Sequence, residues 1–341
     1  IGKNLEVATG ATFGISNTGS ALIHLLNISK NIINNGTIDF NDGANRIVNL
    51  VFNSSFNSSF SGTGLLTDIG LLRIDKGNDR STILDFSVSG TLTATINNWL
   101  TLTNGTFRVS RSGGSYLTPT FFIRNDNSIF TIPQSARFSL NNATAFIRVG
   151  SYDNDGSDIR LEGELEIING SFYQGDTTRN RHHDIEFSAS GLSEIDVQAG
   201  RLYVNGQIRA NALAGNSILN YKQSGGNVII AARNSAGTGL PNFQVEGLGS
   251  VFNMSNNAQL TMKRATNNSQ DMIIRPEFYS VTGGTIIFAK DASATTDTID
   301  LSTSIELNNL EVRNFNSTIF AACRMVISPL QLKGNLTIQP F

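Results

Sequence analysis

One short phrase recurs six times along the chain: a glycine, a small polar or charged residue, then apolar alternation. It reads NNGTIDF at Gly36, TNGTFRV at Gly105, INGSFYQ at Gly170, QAGRLYV at Gly200, SGGNVII at Gly226 and TGGTIIF at Gly284. The intervals are 69, 65, 30, 26 and 58 residues. A unit of about thirty residues, taken once or twice, fits all of them. A unit of that size, built from short strands and turns, cannot bury its apolar side alone. It must stack on copies of itself, and this requirement narrows the fold more than any other feature.

A longer self-similarity points the same way. Residues 128–140, SIFTIPQSARFSL, match residues 250–262, SVFNMSNNAQLTM, apolar position for apolar position. Pro119, Phe121 and Ile123 align with Pro241, Phe243 and Val245 at the same offset of 122 residues. That offset is read as four units, and residues 102–176 as duplicated at about 224–291.

Composition agrees with strands and tight turns. Only 15% of residues are charged, and 39 Asn and 32 Gly replace the missing charge. Asn and Ser compete for backbone hydrogen bonds and Gly is entropically costly in helices, so helices are disfavoured. No segment holds a helical period. Alternation is widespread, as in LEGELEIINGSF, where Leu161, Leu165 and Ile167 are expected inside and Glu162, Glu164 and Glu166 outside. The expected fold is all-β: a right-handed parallel β-helix of about thirty residues per coil, one continuous solenoid over residues 1–341. About eleven coils at ~4.8 Å each give a rod of roughly 50 Å. Glycines would sit at corners and Asn would form amide ladders between coils. Two rivals exist. Asn-Gly pairs at Asn35, Asn104, Asn169 and Asn205 are also hairpin signals, which would suit tandem immunoglobulin-like sandwiches. A propeller would need a longer repeat, and sandwiches do not predict the thirty-residue period.

Net charge is −2 with the basic residues scattered, so no nucleic-acid stripe is present. Apolar runs such as ALIHLL are too short to span a bilayer as a helix, and no membrane insertion is expected. The single Cys323 makes no internal disulfide or zinc site and reads as a small buried hydrophobe. Both ends read as cut from a longer polypeptide. Uncapped solenoid ends are sticky, and neighbouring segments of the same chain are the expected partners.

The phrases NNGTIDF, GTGLLTDIGLLRIDKG, NWLTLTNGTFRVS, QSGGNVII, VEGLGSVFNMS and LKGNLTI resemble the very long repeat-rich surface proteins of Bacteroidota. Those proteins are exported by the type IX secretion system, and some act as adhesins in gliding or attachment. The resemblance covers most of the chain. It implies export, an extracellular, cell-surface location and a fibrous shape, and supplies no catalytic residue. It also implies O-glycan attachment at Thr177 and Thr298, within Asp176-Thr177-Thr178 and Asp297-Thr298-Ile299.

Candidate chemistry is sparse. DNDGSD holds Asp153, Asp155 and Asp158 around Gly156, hard oxygen ligands of the kind that suit calcium; the other reading is a solvated acidic turn. DFNDGAN offers Asp39 and Asp42 more weakly. In RNRHHD, His182 and His183 point to opposite faces if extended and cannot easily share a metal, and His183 and Asp184 also diverge. Tyr116, Tyr152 and Tyr173 are candidate exposed platforms for sugar rings, whereas Trp99 suits a core or corner position equally. Acidic residues show no repeated pair at the coil period, and Arg275-Pro276 alone does not make a lyase site. There is no nucleophile elbow, phosphate loop or zinc spacing. The expectation is therefore a structural or adhesive rod segment. A carbohydrate-binding adhesin module is the alternative, and a polysaccharide lyase or hydrolase a further one.

Overall fold

The computed structural model describes residues 2–339, except 17, 19, 44–45, 115–119, 152, 189–191, 212–216, 234–238, 266–269, 290–296, 314–320 and 328. The chain winds into a β-solenoid of about 11 turns, with roughly 26–30 residues per turn and, among the described residues, no helix. Every pairing between named strands is parallel, which excludes the hairpins of the sandwich alternative. The Asn-Gly pairs lie at or next to coil corners instead.

Each coil contributes to three sheets. The first begins with Leu5–Val7, Ile32–Asn34, Ser58–Ser61 and Ile83–Phe86. It continues through 105–109, 136–140, 164–167, Leu192–Val197, Ile218–Gln223, 251–254 and 278–281. The second sheet opens with Thr12–Gly14, Thr37–Asp39, Leu66–Asp68 and Thr91–Thr93. It resumes at Phe121–Arg124 and runs through 146–149, 171–174, Arg201–Val204, Asn227–Ile230 and Gln259–Met262 to Leu336–Gln339. The third carries Ile23–Ile28, Ile47–Phe52, Leu71–Asp75 and 100–102, and then Phe130–Ile132 through Ile185–Phe187 to Ala321–Met325.

Alternation places one side of every strand inside. The main apolar core runs from Val7 to Val312, and Phe146, Tyr173, Tyr203 and Ala231 form a smaller cluster apart from it. Phenylalanines of successive coils stack within the main core: Phe60, Phe86, Phe107, Phe138 and Phe172 lie 5.1, 5.9, 5.7 and 5.5 Å apart, centroid to centroid. Trp99 belongs to this core. Its ring stacks on Phe121 and its Nε1 donates to the Phe122 carbonyl at 2.9 Å. Cys323 packs partly buried against the core; burial, followed by the nearby Asp300, pushes its thiol up to about 12, which keeps it protonated and unreactive.

The glycine phrase marks mainly one corner. Gly36, Gly170, Gly200, Gly226 and Gly284 all separate a first-sheet strand from the second-sheet strand that follows. Gly105 sits at another corner, entering the first sheet, so its intervals of 69 and 65 residues are not whole turns. Coils touch backbone to backbone at the glycine corner. A Cβ on Gly200 would lie 2.2 Å from the Gly170 carbonyl oxygen, and one on Gly226 2.5 Å from that of Gly200. Asparagine contributes differently from the expected amide ladders. Asn4 accepts from the Asn31 amide, but Asn31 and Asn57 accept backbone N–H groups of the next coil, at Ser59 and Ile83.

The 122-residue repeat is not four whole turns. Phe130–Ile132 lies in the third sheet and its counterpart 252–254 in the first; 136–140 lies in the first and Gln259–Met262 in the second. Phe121–Arg124, in the second sheet, likewise matches 243–245 in the third. The offset is therefore four turns and one face, because what repeats is a strand–corner–strand phrase that any corner can use.

Gly200 is expected to be irreplaceable. Gly200→Val adds a backbone clash to a left-handed φ of +77° and should cost more than about 2 kcal/mol. Gly10→Val, at φ +79° but with nothing within 4 Å, should cost about 1–2 kcal/mol. Urea midpoints of the two variants check the difference. Thr12–Gly14 and Ile23–Ile28 pair on one edge only, next to exposed Leu22 and Leu25, and Leu336–Gln339 exposes Leu336 and Ile338. This chain alone should associate as concentration rises, and sedimentation as a strict monomer would contradict that.

Candidate functional site

Two polar constellations sit on the outside of the coils. The first covers the outer face of the first sheet. Outward positions repeat at the coil period there, so like positions line up across neighbouring strands. One row is Arg137, Glu164, Glu194 and Asn220; the other is Ser139, Glu166, Asp196, Lys222 and Asn253. Carboxylates thus do pair at the coil period, contrary to the expectation from sequence. Both pairs, Glu164 with Glu194 and Glu166 with Asp196, are spaced by 30 residues, a signal visible once LEGELEI is aligned with LSEIDV.

Oxygens of Glu164, Glu166 and Asp196 lie within 4.8 Å of one another. Basic side chains balance them. Arg137 Nε is 2.7 Å from Glu164, and Lys222 pairs with Glu194. Arg80 arrives from a turn three coils before Glu164. Its guanidinium meets the Gln134 carbonyl at 3.0 Å, Glu164 at 3.3 Å and the Leu192 carbonyl at 3.2 Å. Glu164, expected at the surface, is consequently 5% exposed beneath two arginines. Burial raises its pKa despite Arg137, and burial also raises that of Asp196. Two cavities flank the rows. One of about 520 Å³ is lined by Arg80, Gln134, Arg137, Glu194 and Asn220, and one of about 360 Å³ by Asp196, Lys222, Asn253, Ser255 and Ser280.

The second constellation lies where the chain passes from the second sheet to the third. Loop 153–158 stacks on residues 182–184 of the next coil. Asp155 accepts the His182 N–H at 2.6 Å and Asp158 the Asp184 N–H at 2.7 Å. Alternation carries His182 and Asp184 to the same side, with His182 Nε2 2.6 Å from Asp184 Oδ1, while His183 turns inward and is fully buried. Arg209 closes the group, 2.8 Å from Asp184 and paired with Glu186. Burial, and then repulsion from Asp184 and Glu186, pushes the Asp158 carboxyl up to about 7. Burial depresses the His182 pKa, but Asp184 and Asp158 outweigh it and the net shift is upward.

The predicted site residues separate under this geometry. Asp153 and Asp155 are exposed and Asp158 half-buried; among the described residues they form no converging group, whereas Glu164, Glu166 and Asp196 do. Two carboxylates of the acidic loop, those of Asp155 and Asp158, accept backbone N–H groups of the next coil. Asp42 is paired with Arg46, and Arg275 with Glu246 at 2.7 Å. Tyr116 and Tyr152 lie outside the described residues. Tyr173 is no exposed platform. It is 6% exposed, stacked between Phe146 at 4.4 Å and Tyr203 at 5.3 Å, and its hydroxyl accepts from Arg201. Arg148, opposite it in the ladder, lies 4.9 Å over the Phe122 ring and pairs with Asp176 in loop 175–184. Thr177 is half-buried in that loop, beside Asp176, whose carboxylate holds Thr178; Thr298 is exposed on strand Asp297–Thr303.

Searches of protein-family models, of curated proteins and of solved structures each returned no match to the chain. Among the described residues no helix is long and apolar enough to cross a membrane.

The raised Asp158 pKa has a definite sign. Between about pH 4 and 7 the folded state binds a proton there that the unfolded chain has released, so this group's contribution to stability falls as pH rises through that window. Asp158→Asn keeps the acceptor for Asp184 N–H and removes the charge. It should leave the melting temperature near pH 4 little changed and raise it by a few degrees at pH 8. Thermal melts of both proteins across that range test this.

Proposed function

We propose that this chain is a structural segment of a secreted bacterial surface protein, a rigid rod that spaces or presents an adhesive region. The observation that carries the reading is the core from Val7 to Val312, shared coil to coil among the described residues. Such a body resists bending because most coils are fixed by three parallel ladders at once, the step from residues 83–102 to 105–132 keeping the first-sheet ladder. The phrases that resemble repeat-rich Bacteroidota surface proteins support the same reading, with export by the type IX system, neighbouring segments of the same chain as partners, and O-glycans at Thr177 and Thr298. Mild protease treatment of intact source cells should release peptides of this chain before any cytosolic marker. Retention of all its peptides until lysis would remove the surface assignment.

The charged rows of the first sheet favour a second reading, a carbohydrate-binding module. Carboxylates, guanidinium groups and amides repeated at the coil spacing offer donors and acceptors to sugar hydroxyls along the rod, with the two cavities at either side. Arg137→Ala, at the edge of the larger cavity, is expected to weaken glycan binding at least tenfold, measured by calorimetry against a ligand chosen from a glycan array. No binding by the unmodified protein leaves the rod reading alone. Release of sugar product would instead turn the carboxylate rows into acid–base candidates.

A further inference from the structure

One inward row of the second sheet reads Ile123, Val149, Gln174, Val204, Ile230, Met262, Phe288 and Val312. Gln174 is its one polar member, and it is fully buried. Its Nε2 donates to the Ser157 carbonyl at 2.8 Å, but its Oε1 has no partner. An orphaned buried carbonyl loses the hydration it had in the unfolded chain without replacing it, so its surroundings need an explanation.

Two further orphans belong to the same corner. His183 is fully buried, and neither ring nitrogen has an aligned hydrogen-bond partner, although the Ser157 backbone lies close to the ring. Burial lowers its pKa, so the ring is neutral and offers one donor and one acceptor. The Ser157 hydroxyl is also fully buried and unpartnered. Gln174 and His183 are tied to one residue, Ser157, so the three groups share one neighbourhood. Gly175 backs it, since a Cβ there would come 2.7 Å from His183 Cδ2.

The chain satisfies a buried glutamine fully elsewhere. Gln223, the polar member of an inward row of the first sheet, accepts from the Tyr221 hydroxyl at 2.7 Å and donates to the Gly225, Gly226 and Gln259 carbonyls. The difference at Gln174 is local. The same orphaned amide oxygen recurs on neighbouring coils at this corner: Asn125 and Gln207 have their amide nitrogens bonded and their oxygens unpartnered.

We infer that the Gln174–Ser157–His183 corner is a binding site for an ordered internal water, the central member of a short hydration column running along the rod axis from Asn125 to Gln207. An acceptor, a hydroxyl and an imidazole that can do either are the three partners an internal water typically takes. A cation is the competing guest, but a single imidazole and two neutral oxygens provide no charge to hold one.

Crystals of the full chain, soaked in a rubidium salt, test this directly. The expected result is one peak within about 3.2 Å of Gln174 Oε1, Ser157 Oγ and a His183 nitrogen, with no anomalous scattering. An anomalous peak would replace the water by a cation. Continuous closure of the side chains on one another, with no peak, would overturn the site. In solution, His183 ring protons should show an exchange cross-peak to a long-lived water. Gln174→Val, which copies Val149 and Val204 on either side, should abolish that cross-peak while the coil stays folded; its persistence would also refute the assignment.

Discussion

Most of this molecule depends on coils approaching at strand spacing on three sides simultaneously; from residues 83–102 to 105–132 the first-sheet ladder joins the coils alone. The close approach is severe at the corner between the first and second sheets, where the backbones of Gly170, Gly200 and Gly226 leave no room for a Cβ, and again at Gly163 between the third and the first. Parallel pairing elsewhere follows from it, because a corner held apart would pull two ladders out of register at once. The interior needs only apolar residues of suitable bulk, and Phe, Ile, Leu and Val exchange freely along it. Shape is set by the corners and substance by the core.

Much of this architecture was legible in the sequence. Strand alternation, the thirty-residue unit and corner glycines are local properties that survive without tertiary knowledge. What could not be read was which corner a phrase occupies. Gly105 carries the same signature as Gly170 but serves another turn, since both need only a positive φ and a following strand. Tyr173 was misjudged for a related reason. Alternation gives its direction correctly, but the aromatic neighbours that stack on it are contributed by other coils. His182 and Asp184 illustrate the opposite case: the i, i+2 relation that brings them together was present in RNRHHD, behind the more conspicuous adjacent histidines.

The charged face shows how a chain with few charges uses them. Four carboxylates gather on two neighbouring coils, an arrangement that repels itself unless cations are supplied. Arg137 and Lys222 come from the coils on either side, and Arg80 reaches across from a turn 84 residues before Glu164. No local pattern announces that last contact. The result is a surface rich in directional polar groups yet close to balanced in charge. The acidic corner at Asp158 differs, because its excess negative charge is relieved by a proton as well as by Arg209.

The displaced repeat has a consequence for how such a rod can grow. A copied segment that advances four turns and one face does not restore the parent surface; it paints the same pattern on the adjoining side. Three successive copies would bring the pattern back to its starting side. Loops carried by the copied segment would then trace a slow spiral around the shaft. A filament lengthened in this way would present one motif in every direction, and a partner approaching from any bearing would meet the same contact.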